Sequence, residues 1–484
     1  MATVYIGRVK PTDPFRESLG AALEHSLRFL DNLDHAPVSP TASLETLRGR
    51  FATELADEGA APEQVVEDLV RDAEGGIVGS TGGRFFAWVV GGAFPAALAA
   101  DWLTAAWDQN AGIHVAGPAA AVVEEVAGGW LKEILGLPAG ASFAFVTGCQ
   151  MAHVTCLAAA RHALLERRGW DVARQGLYGA PPIRILTSGE RHGSIQRAVR
   201  LLGLGLDQVI ELPATAQGQL APEALERELK AGGRSPTIVL LLAGDLSIGA
   251  YDSFETLIPI ARRHGAWVHV DGAFGLWAAA SPRYRHLLRG VEGADSWATD
   301  GHKWLNVPYD CGYAFVADPG AHRAAMSHRE PYLQHHQEAR DQMDWNPEWS
   351  RRARGFSTYA ALRQLGRKGV AALVEECCEH ARSLVLGIGR LPGAEVVWEP
   401  TLNQGLVRFL DAKAGASSED HDRQTDEVIG RILSGGEAYF GGTTWHGRRA
   451  MRVSVCNWRT SAEDVERAVE AVRRALVDGS WENT

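Results

Sequence analysis

From Ser142 onward the apolar residues fall into short, β-rich runs. They lie at Ser142–Val146, Ile183–Thr187, Val209–Leu212, Thr237–Ala243, Trp267–Val270, Asp295–Thr299 and Tyr313–Val316. Helical stretches separate most of them, among them Met151–Arg168, Gln196–Leu202, Pro222–Lys230 and Phe254–His264. The run TIVLLLAG at Thr237–Gly244 is apolar throughout, the pattern of a strand buried on both faces. Such strands alternating with helices predict a doubly wound α/β domain. Ligands in these sheets sit beyond the carboxyl ends of the strands, so chemistry is sought there.

The flanks read differently. Residues 1–78 are helical and polar, with loops at Pro37–Pro40 and Gly75–Gly79. Arg84–Asn110 is dense in aromatics and glycine, and a helix follows over about Pro118–Leu135. Ser327–Arg354 is a long polar loop, and loops of that length are usually functional or mobile. Phe356–Leu391 reads as a long helix interrupted near Gly366–Gly369. Beyond it come strand-like GLVRFL, an acidic loop at Ser417–Asp422, helix-like Asp426–Leu433, strand-like AMRVSVC and a helix over Ser461–Val477. The expected division is an N-terminal helical segment (1–110), a large α/β domain (111–355) and a small C-terminal α+β domain (356–484).

Composition narrows the function. The chain has 484 residues with 48 Lys plus Arg against 59 Asp plus Glu, a net charge of −11. An acidic chain without a basic block argues against partners such as nucleic acid or anionic membranes. Its six cysteines form no C-x-x-C pair or secreted-type framework, which predicts free thiols in a reducing cytoplasm. The start, MATVYIGRVK, lacks a signal-peptide pattern. The uncharged stretch Phe85–Ala100 is too short to span a bilayer and contains Gly91, Gly92 and Pro95. Glycine (53) and tryptophan (15) are both unusually frequent.

The residues that carry chemistry cluster at strand ends. Asp271 closes the run WVHVD directly before Gly272, and Lys303 follows His302 after the next apolar run. Taken singly, the aspartate reads as a turn cap and the lysine as a surface residue. Taken together they suggest a lysine able to form a Schiff base and a carboxylate able to pair with a pyridinium nitrogen. Ala273 is small enough for a flat ring to approach the backbone. FVTGCQMAHVTCLAAAR (Phe145–Arg161) runs strand, turn, helix, and the first-turn N–H groups near Cys149, Gln150 and Met151 form an anion site. His153 on that helix reads as structural. His192, between a strand end and a helix, is placed to stack on a flat ring or to serve as a cap. Asp252 and Glu255 in YDSFE read as a capping box. The sequence has no P-loop, nucleophile elbow or H-E-x-x-H, and Cys377, Cys378 and His380 make a poor metal site, so no metal is expected.

Over roughly Arg84–Arg459 these motifs resemble the pyridoxal-phosphate-dependent group II amino-acid decarboxylases. The most specific part is HVD-x-A followed some thirty residues later by HKW, here Asp271, Ala273, His302, Lys303 and Trp304. The resemblance implies the aspartate-aminotransferase-like fold type I, with a mainly parallel seven-stranded sheet and helices on both faces. It implies pyridoxal 5'-phosphate as cofactor, Lys303 as its Schiff-base lysine, Asp271 on the ring nitrogen and His192 stacked on the ring. Gly148, Cys149 and Gln150 match the phosphate loop. EPYLQHHQE resembles the family's catalytic loop, so that Tyr332 would protonate the substrate carbon after carbon dioxide leaves; aldehyde-forming relatives carry phenylalanine there. A homodimer with a shared active site is also implied, with Phe85, Phe86 and Trp88 as candidate substrate wall or, equally, core.

The chain departs from the family at Cys149, Gln150, Met151 and Leu246, where smaller or more polar residues are usual. The expected activity is decarboxylation of an L-α-amino acid, aromatic by the aromatic-rich entry segment. Alternatives keep the cofactor but change the reaction (carbon–carbon lyase, aminotransferase, aldehyde-forming oxidase) or the substrate (acidic or diamino acid). Arg84, Arg354 and Arg452 are candidates for an acidic side chain. A cofactor-binding protein without turnover is the remaining reading.

Overall fold

The computed structural model describes residues 14–328 and 338–477. Helices α1 (Pro14–Asn32), α2 (Leu44–Phe51) and α3 (Pro62–Ala73) form an N-terminal arm, followed by α4 (Pro95–Trp107) and α5 (Pro118–Ile134). The α/β alternation then runs β1 (Ser142–Val146), α6 (Cys149–Glu166), α7 (Val172–Gln175), β2 (Arg184–Ser188), α8 (Gly193–Leu201), β3 (Val209–Leu212), α9 (Pro222–Gly232), β4 (Thr237–Leu242), α10 (Phe254–Arg263), β5 (Trp267–Asp271), β6 (Ser296–Asp300), β7 (Gly312–Val316) and α11 (Pro319–Met326).

These seven strands make one sheet in the order β1-β7-β6-β5-β4-β2-β3. The pairs β2–β3, β2–β4, β4–β5 and β5–β6 are parallel, and β7 runs antiparallel to both neighbours. Every residue of β4 is buried, and its alternate side chains enter two separate cores. Val239 and Leu241 join one; Ile238, Leu240 and Leu242 join the other. The apolar run is therefore explained by helices covering both faces.

The remaining chain contains α12 (Gly355–Gly389), β8 (Ala394–Trp398), β9 (Gln404–Phe409), α13 (Ser418–Gly435), β10 (Gly441–Trp445), β11 (Arg448–Ser454) and α14 (Ala462–Val477). Its strands form an antiparallel sheet ordered β10-β11-β9-β8. The expected break in α12 falls at Gly366, whose φ of 60° is cheap only for glycine.

Three local expectations need correction. The stretch Ser417–Asp422 is a helix start, not a loop: Ser417 and Asp420 form a reciprocal capping box, which extends α13 forward. Asp252 and Glu255 form no such box. Asp252 instead accepts the Leu220 and Leu242 N–H groups at 2.6 and 2.7 Å, tying the start of α9 to the end of β4. Strand β6 begins at Ser296, and the preceding Asp295 carboxylate accepts the Val268 N–H at 2.7 Å. That one-residue shift makes Asp300 the last residue of the strand.

Candidate active site

The site forms where β5 and β6 end beside the start of α6. Trp267, His269 and Asp271 alternate along β5 and so share one face, toward α6. On α6, Cys149 and His153 are four residues apart and share the facing side. The Cys149 thiol lies 3.9 Å from Asp271 Oδ1, and His153 Nε2 lies 3.5 Å from Asp271 Oδ2. Burial alone would raise the Asp271 pKa, but His153, Lys303 and the Ala273 N–H hold the carboxyl well below the usual range. The same burial, with the charges of Asp300 and Asp271, pushes the Cys149 thiol well up.

Lys303 sits three residues beyond the end of β6. Its Nζ is 3.1 Å from Asp300 Oδ2, and Asp300 Oδ1 accepts the Cys149 N–H at 2.6 Å. Asp300 thus ties the lysine to the first turn of α6. Burial acts to lower the Lys303 pKa, but the Asp300 charge and its neighbours override it, and the pKa is raised. Asn306 fixes the turn behind the lysine. It adopts a φ of 54°, which asparagine tolerates better than most residues. Its Oδ1 accepts the Gly92 and Trp458 N–H groups at 2.8 and 3.1 Å, and its Nδ2 donates to the Trp304 and Cys456 carbonyls at 2.9 and 2.8 Å. Gly91 passes so close that a Cβ there would lie 1.9 Å from the Lys303 carbonyl oxygen.

The other expected residues fall as follows. Ala273 donates its N–H to Asp271 Oδ1 at 3.1 Å and accepts the Asp300 N–H at 3.0 Å, linking the Asp271 carboxylate to the Asp300 backbone. His302 accepts the Cys311 N–H at 3.1 Å and stacks on Tyr309 with ring centroids 4.3 Å apart. His192 is the exposed N-cap of α8, accepting the Ser194 N–H at 3.2 Å. Gly148 is the N-cap of α6 and has no side chain to cap it. Gln150, in the first turn, has a buried Nε2 without a hydrogen-bond partner, as do the Thr187 and Ser188 hydroxyls at the end of β2. Of the residues read as substrate wall or core, Phe85 and Phe86 are 3% and 0% exposed and stack on Tyr439 and Phe440. Of that trio only Trp88, 57% exposed, presents its ring outward. Tyr332 lies outside the described residues.

Sequence reasoning passed over Asp300, His269 and Asn306. Asp300 was hidden because the strand was read one residue early; His269 was legible through its period-2 partnership with Asp271. Of the three candidate arginines, Arg84 pairs with Glu437 and Arg354 with Asp310. Arg452 is buried and hydrogen-bonds Gln404 and the Trp88 carbonyl.

The arrangement suits pyridoxal phosphate. An unpartnered buried amide beside the N–H groups of a helix start is what a phosphate requires, and an ionised buried carboxylate is what a pyridinium nitrogen requires. Cys149, His153 and Asp271 also hold three donor atoms within 4.8 Å, the geometry of a metal site, though here those atoms already contact one another.

Comparison with known proteins agrees with this chemistry. The signature described as "Pyridoxal-dependent decarboxylase conserved domain" matches residues 45–410. An aromatic-L-amino-acid decarboxylase of Bacillus atrophaeus is 25% identical over 451 residues, 92% of each chain. A cysteine sulfinic acid decarboxylase of Homo sapiens is 27% identical over 446 residues, 89% of each chain. The solved structure of Oryza sativa TDC with PLP and tryptamine superposes with a TM-score of 0.90 at 24% identity, covering 97% of this chain and 99% of that one. With a match spanning most of its length, the chain belongs to the pyridoxal-dependent decarboxylase family and is a pyridoxal-phosphate-dependent carboxy-lyase.

Proposed function

We propose that the protein decarboxylates an aromatic L-α-amino acid to the corresponding amine and carbon dioxide. The observation that carries this reading is the grouping of Lys303, Asp300 and Asp271 at the ends of β5 and β6, beside the unpartnered amide of Gln150. In this reading Lys303 is the covalent anchor of the cofactor, Asp271 faces its ring nitrogen and His192 covers its ring. Gln150 and the N–H groups of Gly148 and Gln150 would hold the phosphate, while Cys149 gives its N–H to Asp300; Ala273 and His302 would flank the cofactor. Pyridoxal phosphate, when bound, supplies the sink for the electron pair released as the Cα–carboxylate bond breaks. The protein's part would be to keep Asp271 ionised, to orient the bond that breaks and to return a proton to Cα from Tyr332.

An aromatic substrate is supported by the exposed rings of Trp88 and Tyr309 and by the commitment of Arg84 and Arg354 to ion pairs. A second reading, an acidic or sulfinic side chain, is favoured by Arg452, whose partners are neutral. Carbon dioxide release from each standard amino acid and cysteine sulfinate by the cofactor-loaded enzyme separates the two; release of keto acid instead would overturn both.

The working unit is a homodimer with a site completed by the partner, in the cytoplasm. Support for pairing comes from α1, where Leu19, Leu23 and Leu27 form an exposed apolar stripe at helical spacing. Support for a reducing compartment comes from six free, buried cysteines. No helix among the described residues is long and apolar enough to cross a membrane. The functional division into 1–110, 111–355 and 356–484 is retained. Sedimentation at micromolar concentration tests the pairing, and a monomer that is fully active would refute it.

A further inference from the structure

Behind Asp271 runs a chain of buried polar groups that the reaction does not obviously need. His153 Nδ1 is 3.0 Å from His269 Nε2. His269 Nδ1 is 2.9 Å from Ser296 Oγ, and Trp267 Nε1 donates to that same oxygen at 2.9 Å. His153, His269 and Ser296 are wholly buried and Trp267 is nearly so. The geometry is set by the fold, because His269 and Ser296 are direct register partners across β5 and β6.

Counting protons gives this chain a direction. Trp267 has a donor and no acceptor, so Ser296 Oγ receives that hydrogen bond and its own hydrogen is free for His269 Nδ1. His269 is then protonated on Nε2 and donates to His153 Nδ1. His153 is left with its hydrogen on Nε2, facing Asp271 Oδ2 at 3.5 Å and the Cys149 sulfur at 3.4 Å. Each donor has an acceptor, and the row ends on the Asp271 carboxylate. The opposite direction would have His269 and Trp267 both donate to Ser296 Oγ, leaving the Ser296 hydrogen outside the row, and would turn a lone pair of His153 toward a negative charge.

We propose that His153 is a positioning residue which, with its tautomer fixed through His269, Ser296 and Trp267, holds Asp271 ionised and aimed at the ring nitrogen of the cofactor. The proposal rests on the assignment of Asp271 to that nitrogen. Burial pushes His269 down to about 3, so it enters the row as the neutral imidazole the direction requires. Burial would equally push Asp271 up, and the His153 N–H facing its carboxylate is among the groups opposing it. A histidine pair that merely filled core space would need neither the Ser296 and Trp267 donors nor the approach to a carboxylate.

The test compares two ligands on the full-length apoprotein: pyridoxal 5'-phosphate and its 1-deaza analogue, in which carbon replaces the ring nitrogen. Dissociation constants are read from ligand absorbance, without turnover. His153→Leu is expected to weaken the phosphate of pyridoxal by about tenfold or more, the loss of a hydrogen bond to a charged group. Binding of the deaza analogue should be unchanged or tighter, since it presents nothing to an ionised carboxylate. His153→Gln, which returns an N–H near the position of Nε2, should recover most of the loss. If His153→Leu does not fold, Ser296→Ala serves: it removes the donor to His269 and should show a smaller loss confined to the natural cofactor. Equal weakening of both ligands, or no change in either, would overturn the proposal. Asp271→Asn is run beside them. If it fails to discriminate the two ligands, the placement of Asp271 on the ring nitrogen falls, a result distinct from failure of the His153 variants alone.

Discussion

Lys303 Nζ lies 3.1 Å from Asp300 Oδ2, and the other oxygen of the same carboxylate accepts the Cys149 N–H. The lysine is therefore held as an ammonium in the cofactor-free protein, with Asp300 the largest of the influences opposing its burial. Only the neutral amine attacks an aldehyde. Asp300→Asn keeps an acceptor for Cys149 but removes the charge. Cofactor uptake by the apoprotein, followed by absorbance in stopped flow, should quicken at neutral pH, by about tenfold for each unit the lysine pKa falls. Its pH profile should move to lower pH. An unmoved profile would show that the Asp300 charge does not govern Lys303.

Asn306 is a stability element with an address next to the chemistry. Three of its side-chain hydrogen bonds join the Lys303 turn to the segments at Gly92 and Cys456–Trp458, and a fourth closes the turn on the Trp304 carbonyl. Asn306→Ala orphans the buried Gly92 N–H and the half-buried Trp458 N–H and places alanine at positive φ, costing about 3 kcal/mol of unfolding free energy. Asn306→Asp, which keeps the acceptor and loses the donor, should fall between. Urea unfolding monitored by far-ultraviolet circular dichroism measures both, and a loss under about 1 kcal/mol would show that the turn holds without it.

Much of this could be read before the structure because burial on both faces leaves a plain mark. β1, β3 and β4 stand within a residue of their apolar runs, and Asp271, Ala273, Lys303 and the α6 start lie together at the strand ends. What stayed hidden depended on long-range contacts. β8 and β10 were invisible because their burial is partial and their pattern mixed; β10 reads GGTTW. Asp300 was concealed because β6 begins one residue late, at Ser296, with the Asp295 carboxylate taken up by the Val268 N–H. The burial of Phe85 and Phe86 depends on Tyr439 and Phe440, some 350 residues along the chain. The tryptophan excess also resolves only in three dimensions. Trp267, Trp277, Trp297 and Trp304 are fully buried core, and the first three send their N–H to Ser296, the Asp300 carbonyl and the Val291 carbonyl.

Acid should destabilise the fold through two buried histidines. His322 is pushed down to about 3 by burial, with the Arg340 charge adding to it; His269 stands at about 3 for the same first reason. Unfolded, each titrates near 6.5. Between those values the unfolded chain binds the proton and the folded chain does not, so stability is intact above about pH 6.5 and is lost as pH falls toward 3. At pH 5 each histidine costs about 2 kcal/mol. His322 lies away from the cofactor segments, its Nε2 2.8 Å from the Trp345 carbonyl and its Nδ1 2.9 Å from Ser142 Oγ. His322→Gln removes its titration, so the difference in unfolding free energy between pH 7.5 and pH 5 should shrink by about 2 kcal/mol. A variant with the parent's full pH dependence would refute the assignment.

Tyr332 is the residue through which the proposed reaction chooses its product. Once carbon dioxide has left, Cα must take up a proton before anything else reaches it, and a phenol near that carbon is a suitable acid. Tyr332→Phe removes the proton and changes little else in shape. Amine formation should fall by roughly 10²–10⁴-fold. Because the aldehyde-forming proteins that this chain resembles carry phenylalanine at the matching position, the variant should consume dioxygen and release aldehyde, ammonia and hydrogen peroxide with the carbon dioxide. The oxygen electrode and chromatography of the products read both outcomes on the same sample. Continued amine formation at the parent rate, with no oxygen consumed, would place the proton donor elsewhere. Loss of amine without aldehyde would leave Tyr332 as the donor, and would show that oxygen access in this protein is controlled by other residues.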